Sequence, residues 1–530
     1  MNRILTRVNK RAGLGSAAVI LLVVSLIGQI LGFLRYKVVN ANFDTLGPQS
    51  TDAYFAAFKI PDFFFFTVAA GALGVAFMPI LAEHLERGDK KGVWELSNSL
   101  LNLLMIAMAF VGIVILLFAE PLIHYVVAPN LPPEQLKNAA MIMRLIAFNP
   151  LLFAISGILT SVQQNLGRFF FFAVAPVFYN AAILISVYVF RNNIGLIGLG
   201  IGALVGAVLQ LLVVFFGLQG TGYRWKPQIS WKNNDFKLIL RQLPARSIDQ
   251  GIDSINSIVE TNLATRLGVG NITFYENAYI LHTTPILLIG TTISTAAFPR
   301  MTDRLAQGRP DLFRKEFLIV FRAMIWIAMP VVVVSYFARA YFARLIFAKN
   351  APEIALIFGY LAGAILFRIL FSIISRWFYA QKDTKTPLII SLFAIALNIF
   401  LAYTLSKPTS YGIAGLAMAQ SIVAAFEVFV LGIVMLVRDR KLFDQAFISG
   451  LVRIVSVTGF SVLAAFFMIS LLPLQAGDRG FVTLGFKLGA ISLVTLTVHM
   501  VISSLFGLEE PRPVVAKIKQ LILKPVRVDW

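Results

Sequence analysis

Cysteine is absent from the chain of 530 residues, and its absence excludes disulfide bonds, thiol catalysis and cysteine-ligated zinc or iron–sulfur centres. Histidine is scarce as well: the four histidines are His84, His124, His282 and His499, which lie far apart and form no HExxH pair. The sequence also lacks a glycine-rich phosphate-binding loop of the Walker type, which excludes ATP hydrolysis by this chain as an energy source. We therefore predict no metal site and no cofactor.

Charged residues are also few. They make up 14% of the chain, whereas hydrophobic residues make up 58% and the mean hydropathy is +0.80. A water-soluble chain of this length would form several cores with charged surfaces, but here apolar runs of about 20 residues recur from end to end. This composition excludes a soluble enzyme and predicts an all-α polytopic membrane protein.

Apolar stretches bounded by charged residues, glycine or proline predict about 14 transmembrane helices. The predicted spans are residues 16–39, 52–82, 94–119, 139–165, 169–190, 194–216, 238–264, 272–298, 313–337, 354–380, 387–405, 411–437, 450–472 and 482–507. Because the number of crossings is even, both termini lie on the same side of the membrane.

Positive charge exceeds negative charge, with 46 Lys plus Arg against 26 Asp plus Glu and a net charge of +20. Such an excess is compatible with nucleic-acid binding, but the basic residues lie mainly between the apolar runs. Loops on the side of the N-terminus hold 27 of them and the opposite loops hold 8. By the positive-inside rule this asymmetry predicts that both termini are cytoplasmic and that nucleic acid is not a partner.

The chain also resembles itself at a nearly constant offset. Residues 71–88 align with 291–308 at an offset of 220, and Asn180 aligns with Asn398 at 218. We therefore predict two six-helix lobes that insert in the same sense, are related by an axis along the membrane normal and hold cargo between them. The predicted domains are an N-lobe at 1–220, a C-lobe at 221–440, two extra spans at 441–510 and a basic amphipathic cytoplasmic tail at 511–530.

The predicted seventh span, residues 238–264, carries polar groups along one helix face. These groups recur at intervals of 3, 4, 3 and 4 residues and are Arg246, Asp249, Asp253, Asn256 and Glu260. Four ionisable groups facing lipid at mid-depth would cost roughly 10 kcal/mol or more, so this face meets water or other helices. The functional interpretation is the wall of a hydrated cavity. The alternative is an amphipathic helix lying in the membrane interface.

The second span contains a matching group of charges. Asp52 and Lys59 lie seven residues apart, and Lys59 and Asp62 lie three apart, so the three side chains share a helix face and predict an ion pair or cluster. The alternative is that Asp52 and Lys59 reach the outer interface. Pro61 lacks a backbone N–H and predicts a bend beside these charges.

Three further patterns lie elsewhere in the chain. Gly198, Gly202 and Gly206 have the spacing of close helix packing rather than phosphate binding. The basic amphipathic tail is suited to lie on an anionic inner leaflet as an anchor. Additional ionisable residues inside or near the apolar spans are Arg35, Arg144, Glu276, Arg368, Arg376 and Glu427.

Five short motifs connect the chain to a known family. They are LGFLR at 31–35, TDAYFAAFKIPD at 51–62, AFMPIL at 76–81, FYAQKDTKTP at 378–387 and GIAGLA at 412–417. On these motifs the chain resembles, over essentially its whole length, the MurJ (MviN) family of lipid II flippases. This family belongs to a superfamily that also contains multidrug exporters and polysaccharide-lipid flippases. The resemblance implies fourteen spans in two lobes around a central cavity, with a groove for a polyprenyl tail formed by the last two spans.

The resemblance also assigns site residues. Arg35, Asp52 and Lys59 occupy positions where the family keeps charged residues lining its cavity. The chain departs from the family where arginines are expected to hold the diphosphate, at Gln29, Phe65 and Ile280, and Ala70 replaces an expected acidic residue. Arg246 is a hypothetical substitute for these arginines, because the repeat offset of 220 places Gln29 on Asp249, one helical turn from Arg246.

The resulting expectation is a flippase that moves lipid II from the inner to the outer leaflet of the bacterial inner membrane by alternating access. Arg35, Lys59 and Arg246 are the expected head-group contacts. The expected ion partners or coupling sites, for a monovalent cation or a proton, are Asp52, Asp249, Asp253 and Glu260. The expected partners are the lipid-linked precursor, membrane lipids and proteins of peptidoglycan synthesis.

Four alternatives remain open on the sequence. The missing arginines favour a flippase for another lipid-linked oligosaccharide, and the acidic residues of the seventh span suit a drug or cation antiporter. The same carboxylates could serve an intramembrane glycosyltransferase, although the loops between spans are short for such an enzyme. A non-transporting scaffold is the fourth alternative, if the polar face only packs against other helices.

Overall fold

A computed structural model describes residues 14–70, 77–347 and 349–522, and every regular element in these ranges is helical. The chain divides into two compact units, Met1–Thr273 and Phe274–Trp530. Helices of the first unit are α1 (Leu14–Asn42), α2 (Thr51–Phe64), α3 (Met78–Glu86), α4 (Lys90–Pro121), α5 (Pro133–Leu145), α6 (Asn149–Asn165), α7 (Phe170–Phe190), α8 (Ile197–Phe216) and α9 (Asn234–Arg266). Helix α10 (Asn271–Pro285) begins in the first unit and continues into the second.

The second unit contains the remaining helices. They are α11 (Thr292–Ala306), α12 (Pro310–Phe337), α13 (Arg339–Ile346), α14 (Ala351–Ala380), α15 (Lys385–Leu405), α16 (Ile413–Arg438), α17 (Gln445–Leu471), α18 (Phe481–Leu505) and α19 (Pro511–Ile522). Within this unit α14 packs against α16, and α17 packs against α18. A hydrogen bond from Trp326 Nε1 to Ser503 Oγ, 2.8 Å long, joins α12 to α18.

Eleven helical segments in the described ranges are long and apolar enough to cross a membrane. They coincide with the predicted spans three to six and eight to fourteen. The three other predicted spans hold α1, α2 and α9. The chain is therefore an all-α membrane protein, as predicted, and the total of fourteen crossings stays a prediction.

Helices α7 and α8 pack closely because α8 presents a row of glycines. A Cβ atom at Gly202 would lie 2.2 Å from Ser186 Oγ, and one at Gly206 would lie 2.9 Å from the Tyr179 carbonyl oxygen. A larger residue at either position would force the helices apart. The interpretation of Gly198, Gly202 and Gly206 as a packing motif is confirmed.

The segment between α8 and α9 is fixed to the side of α4. Asn98 Nδ2 donates to the Arg224 carbonyl oxygen at 3.1 Å, and Asn102 Nδ2 donates to the Lys226 carbonyl oxygen at 2.6 Å. Phe236, on the first turn of α9, is fully buried in the core of this unit. These contacts fix the start of α9 in the first unit.

Local features recur at the offset found in the sequence. A π-helical turn follows α2 at Phe65–Ala70, and another follows α10 at Ile286–Thr291, an offset of 221. Gly88 and Gly308 both have positive φ values, of 74° and 67°, which glycine adopts without a steric penalty. The compact units divide after Thr273, and the predicted bounds of the lobes at 220, 440 and 510 stay a prediction.

Candidate functional site

The meeting of α2 and α9 brings together two of the predicted polar regions. Lys59 Nζ donates to Ser257 Oγ at 2.7 Å. Further along the same two segments, a Cβ atom at Gly251 would lie 2.5 Å from Thr67 Oγ1, so the glycine permits close approach of the backbones. Helix α9 therefore packs along α2 in the helical bundle of the first unit.

Arg35 lies on α1 and is partly buried. Its guanidinium carbon lies 5.3 Å from the centre of the Tyr36 ring, a cation–π contact. The guanidinium also interacts electrostatically with Asp62, Tyr54 and Tyr179. Asp62 thus supplies negative charge near Arg35 in the low-dielectric interior, where an isolated cation would be costly.

Asp52 is 1% exposed and binds backbone rather than solvent. Its Oδ2 accepts from the Gly270 N–H at 2.6 Å, and its Oδ1 accepts from the Thr273 N–H at 2.8 Å and from the Thr273 hydroxyl at 2.6 Å. Gly270 directly precedes α10 and Thr273 lies in its first turn, where N–H groups have no partner inside the helix. Asp52 therefore acts as a helix cap supplied from a different helix. Its predicted part in ion coupling stays a prediction.

The polar face of α9 differs along its length. Glu260 and Asn256 are 4% and 7% exposed, and Asn256 Nδ2 donates to Glu260 Oε1 at 3.0 Å. Asp253, two turns before Glu260, is exposed. The side chains of Arg246 and Asp249 lie outside the described part of the structure, so their predicted roles stay predictions.

A small cavity lies beside Asp62, between α2, α6 and α7. Its lining includes Asp62, Phe65, Asn149 and Tyr179. Asn149 Oδ1 is buried and has no hydrogen-bond partner among the described residues. Phe65, which the resemblance places at a family arginine position, lies in the cavity wall. Asn149 and Tyr179 border Asp62 at this void of about 10 Å³, which has room for no more than about one water molecule. Neither was singled out from the sequence, because neither carries a charge that stands out in an apolar span.

The second unit has its own buried charge network. Arg368 NH1 lies 3.3 Å from Glu427 Oε2, and Glu427 Oε1 accepts from the Ser391 hydroxyl at 2.5 Å. Arg368 NH2 also donates to Gln420 Oε1 at 3.4 Å. Glu427 is 2% exposed, so its carboxylate is enclosed by protein groups. His282 is 3% exposed and interacts electrostatically with Arg368. Gln420 was not singled out from the sequence, although a lone amide in an apolar span is the signal that would have indicated this network.

The arrangement in each unit is the same in kind. A membrane helix carries a guanidinium that is balanced by a carboxylate and surrounded by hydroxyl, amide or aromatic groups. No group of three or more His, Asp or Glu side chains that could hold a metal ion is present among the described residues. Ionisable groups inside a membrane bundle are costly unless they are paired, so both sites are candidates for contact with a polar or anionic group.

Comparison with known proteins gives the family. A family model described as "Lipid II flippase MurJ" matches residues 45–484. A relative in Borreliella burgdorferi, named a probable lipid II flippase MurJ, is 22% identical over 503 residues and covers 93% of this chain and 97% of the relative. A relative of the same name in Bdellovibrio bacteriovorus is 24% identical over 414 residues, with coverages of 76% and 78%.

Solved structures show the same fold. A structure titled lipid II flippase MurJ in an inward closed conformation superposes with a TM-score of 0.75 at 20% identity, over 92% of this chain and 98% of that one. An inward-facing multidrug resistance transporter of the MATE family superposes with a TM-score of 0.67 at 17% identity, over 82% and 98%. Because the family model spans most of the sequence, the chain belongs to the lipid II flippase MurJ family.

Proposed function

We propose that this protein is a flippase that moves a polyprenyl-diphosphate-linked peptidoglycan precursor, lipid II, from the inner to the outer leaflet of the bacterial inner membrane. It is a transporter and not an enzyme. The observation that carries the proposal is the pair of partly buried cations, Arg35 and Lys59, in the membrane bundle of a chain whose residues 45–484 match the flippase family. Proteins of peptidoglycan synthesis are proposed as partners.

The physical requirement is a polar path for an anionic head group. A sugar-peptide diphosphate cannot enter hydrocarbon without large desolvation costs, so the protein supplies cations and hydrogen bonds while the tail stays in lipid. Lys59 and Arg35 lie on neighbouring elements of the first unit and can serve the diphosphate, and Arg246 is the third proposed contact. Alternating access between the two lobes completes the proposed cycle.

The proposed coupling sites are Asp52, Asp249, Asp253 and Glu260. Among those with described side chains, Asp253 is favoured because it is exposed, whereas Asp52 and Glu260 already bind protein groups. A monovalent cation or a proton is the proposed coupling ion. Charge movement through the membrane field supplies about 2.3 kcal/mol per elementary charge at 100 mV.

The proposed orientation places both termini in the cytoplasm. It rests on the distribution of 27 basic residues against 8 between the two sets of loops. Helix α19 follows the last span and belongs to the basic tail, which we propose to lie on the inner leaflet. Labelling of single cysteines introduced at residues 90 and 407 of this cysteine-free chain tests the orientation, because only residue 407 would be accessible from outside.

A second candidate function is transport of a different lipid-linked oligosaccharide. Gln29, Phe65 and Ile280 stand where the family has arginines. The site therefore holds fewer cations than the diphosphate-binding site that the resemblance implies. Cargo with the same diphosphate but a different glycan would share the tail and the cationic contacts. It would differ in the polar groups around the sugars.

The deciding experiment is rescue of bacterial cells depleted of their own lipid II flippase. Wild-type protein is expected to restore growth, and Lys59→Ala is expected to reduce rescue strongly at matched expression, because the cation in the bundle is removed. Lys137→Ala, at an exposed site on α5, is the control with the same chemical change. Failure of the well-expressed wild-type protein to rescue, together with turnover of another lipid-linked glycan in vesicles, would favour the second candidate.

A further inference from the structure

A strap of turns and irregular backbone, residues 217–233, links α8 to α9 and runs along the side of α4. Besides the asparagine contacts already described, Asn102 Nδ2 donates to the Gln228 carbonyl oxygen at 2.9 Å, and the Ser230 N–H donates to Ser99 Oγ at 3.0 Å. Asn102 and Ser99 are buried beneath the strap. These contacts hold the strap at a fixed level of α4, and the proposed transport function assigns no role to it.

Asn102 marks the end of the apolar part of α4. Residues 103–119 include no polar or charged side chain and extend about 26 Å, close to the thickness of a bilayer's hydrocarbon core. On the helix face of Asn102, Ile106 and Phe110 follow at intervals of four residues and are 63% and 67% exposed. The strap therefore lies where the head groups of a bilayer meet the acyl chains.

Trp225 is bound at this level with much of its surface open. Its Nε1 donates to Asn102 Oδ1 at 3.0 Å, and the residue is 53% exposed. Because the protein satisfies the indole N–H, the open part of the ring is apolar and suits the membrane interface, where tryptophan is enriched. The exposed ring and the exposed face of α4 favour a lipid over a water-soluble partner.

Two cations flank Trp225 in the chain. Arg224 and Lys226 are exposed, and no hydrogen bond or ion pair engages either side chain in the described part of the structure. Their Cα atoms lie at most about 7 Å apart, because two residues span no more than that length. One phosphate can therefore contact both side chains. The strap also contains Lys232 and has no Asp or Glu in its sequence.

The carboxylates beside the strap, on α9 and α4, bind other groups. Asp235 Oδ2 lies 3.0 Å from His84 Nε2, and Glu95 Oε1 accepts from Asn233 Nδ2 at 3.4 Å. Neither forms an ion pair with a cation of the strap. The charge that the strap presents is therefore positive, and it favours an anionic group.

We propose that the strap binds an anionic phospholipid of the phosphatidylglycerol type at the end of the exposed face of α4. The phosphate lies between Arg224 and Lys226, the glycerol backbone lies against the Trp225 ring, and an acyl chain follows Ile106 and Phe110. A phosphatidylcholine head group would add its own cation beside those of the strap and bind more weakly. A water-soluble acidic partner would leave the apolar face uncovered. The bound lipid is distinct from transported cargo.

The test is lipid binding to the purified full chain, measured by native mass spectrometry during titration with phosphatidylglycerol or phosphatidylcholine of the same acyl chains. Wild-type protein is expected to bind phosphatidylglycerol more tightly. The double variant Arg224→Gln with Lys226→Gln is expected to weaken that binding about 10-fold or more, because it removes two cations near an anionic head group. Lys90→Gln with Lys91→Gln is the matched control. It removes two exposed cations from the start of α4 and is expected to leave the preference unchanged.

A second measurement locates the lipid without altering a charge. Phosphatidylglycerol with brominated acyl chains is expected to quench part of the tryptophan emission, and Trp225→Phe is expected to remove most of that part. Trp326→Phe, at a buried position on α12, is the control for loss of one tryptophan.

Four results would overturn the proposal. They are equal wild-type affinity for the two lipids, equal losses in the two double variants, unchanged quenching in Trp225→Phe, and equally tight binding of glycerol phosphate, which has no acyl chains. The last result would indicate a water-soluble anionic partner. Because the readouts are binding and quenching, all of these results are independent of lipid II transport.

Discussion

Asp52→Ala is expected to weaken the connection between α2 and the first turn of α10. The side chain is 1% exposed and accepts three hydrogen bonds, two of them from the backbone N–H groups of Gly270 and Thr273. Alanine removes both acceptor oxygens and leaves these donors in an interior that water does not reach. The Thr273 hydroxyl retains a neighbour in Thr51 Oγ1, at 2.8 Å, so the two backbone groups carry most of the loss.

The size of the effect follows from those two donors. A hydrogen bond to a charged group contributes about 1.5–3 kcal/mol, and contributions at one site do not add fully. We therefore expect Asp52→Ala to lower the free energy of unfolding by about 2–5 kcal/mol. Asp52→Asn keeps one acceptor oxygen and is expected to lose about half as much.

The assay is reversible unfolding of the purified protein in mixed micelles, followed by tryptophan fluorescence. Asp253→Ala is the control, because Asp253 is an exposed carboxylate on α9. If Asp52→Ala and Asp253→Ala have equal stability, the capping argument is wrong. If Asp52→Asn retains stability but abolishes transport, the carboxylate is needed for coupling, as the sequence analysis proposed.

Three other changes test separate contacts. Burial lowers the pKa of His84, but hydrogen bonds to two carboxylates, Asp235 among them, outweigh that effect and raise it. The protonated imidazole therefore stabilises the folded protein. This stabilisation is complete below the unfolded pKa of about 6.5 and is lost as the pH rises through the folded pKa. Thermal unfolding of wild type and His84→Gln should therefore differ more at pH 6 than at pH 8.5, and a constant difference would contradict this linkage. Gly202→Ala should destabilise the protein by about 1–3 kcal/mol through overpacking. Gly432→Ala is the control and should not destabilise it, because no atom lies within 4 Å of the Cβ position. Equal melting temperatures of the two variants would refute this prediction. Glu427→Gln should cost about 3–5 kcal/mol in unfolding titrations because it leaves a guanidinium without its buried partner, and wild-type stability would show that the pair is not needed.

Sequence patterns predicted the helical membrane fold because the signal is local. A run of about 20 apolar residues must form a helix in lipid, where every backbone group needs an internal partner. The spacing of Gly198, Gly202 and Gly206 likewise specifies one helix face, and that face packs against α7. The polar face of α9 was predictable for the same reason, since its charges repeat with the helical period.

The partners of those polar groups could not be predicted in the same way. Asp52 and Lys59 lie on one helix, and the sequence predicts contact between neighbours on that helix. The structure also joins Asp52 to Thr273 and Lys59 to Ser257, each about 200 residues away, and the ion cluster on α2 stays a prediction. Such pairings depend on which helices pack together, and helical periodicity carries no information about that choice.

Helix α9 shows why the pairing matters for the membrane itself. Its ionisable groups would make insertion as a single helix unfavourable by roughly 10 kcal/mol, so it needs a partner that offers polar contacts. Helix α2 supplies such a contact, because Lys59 donates a hydrogen bond to Ser257 of α9. Within α9 itself, Asn256 donates a hydrogen bond to Glu260. The start of α9 is also held by buried Phe236 in the core of the first unit. The polar helix is therefore stabilised as part of that unit, although the internal repeat places it at the beginning of the second lobe.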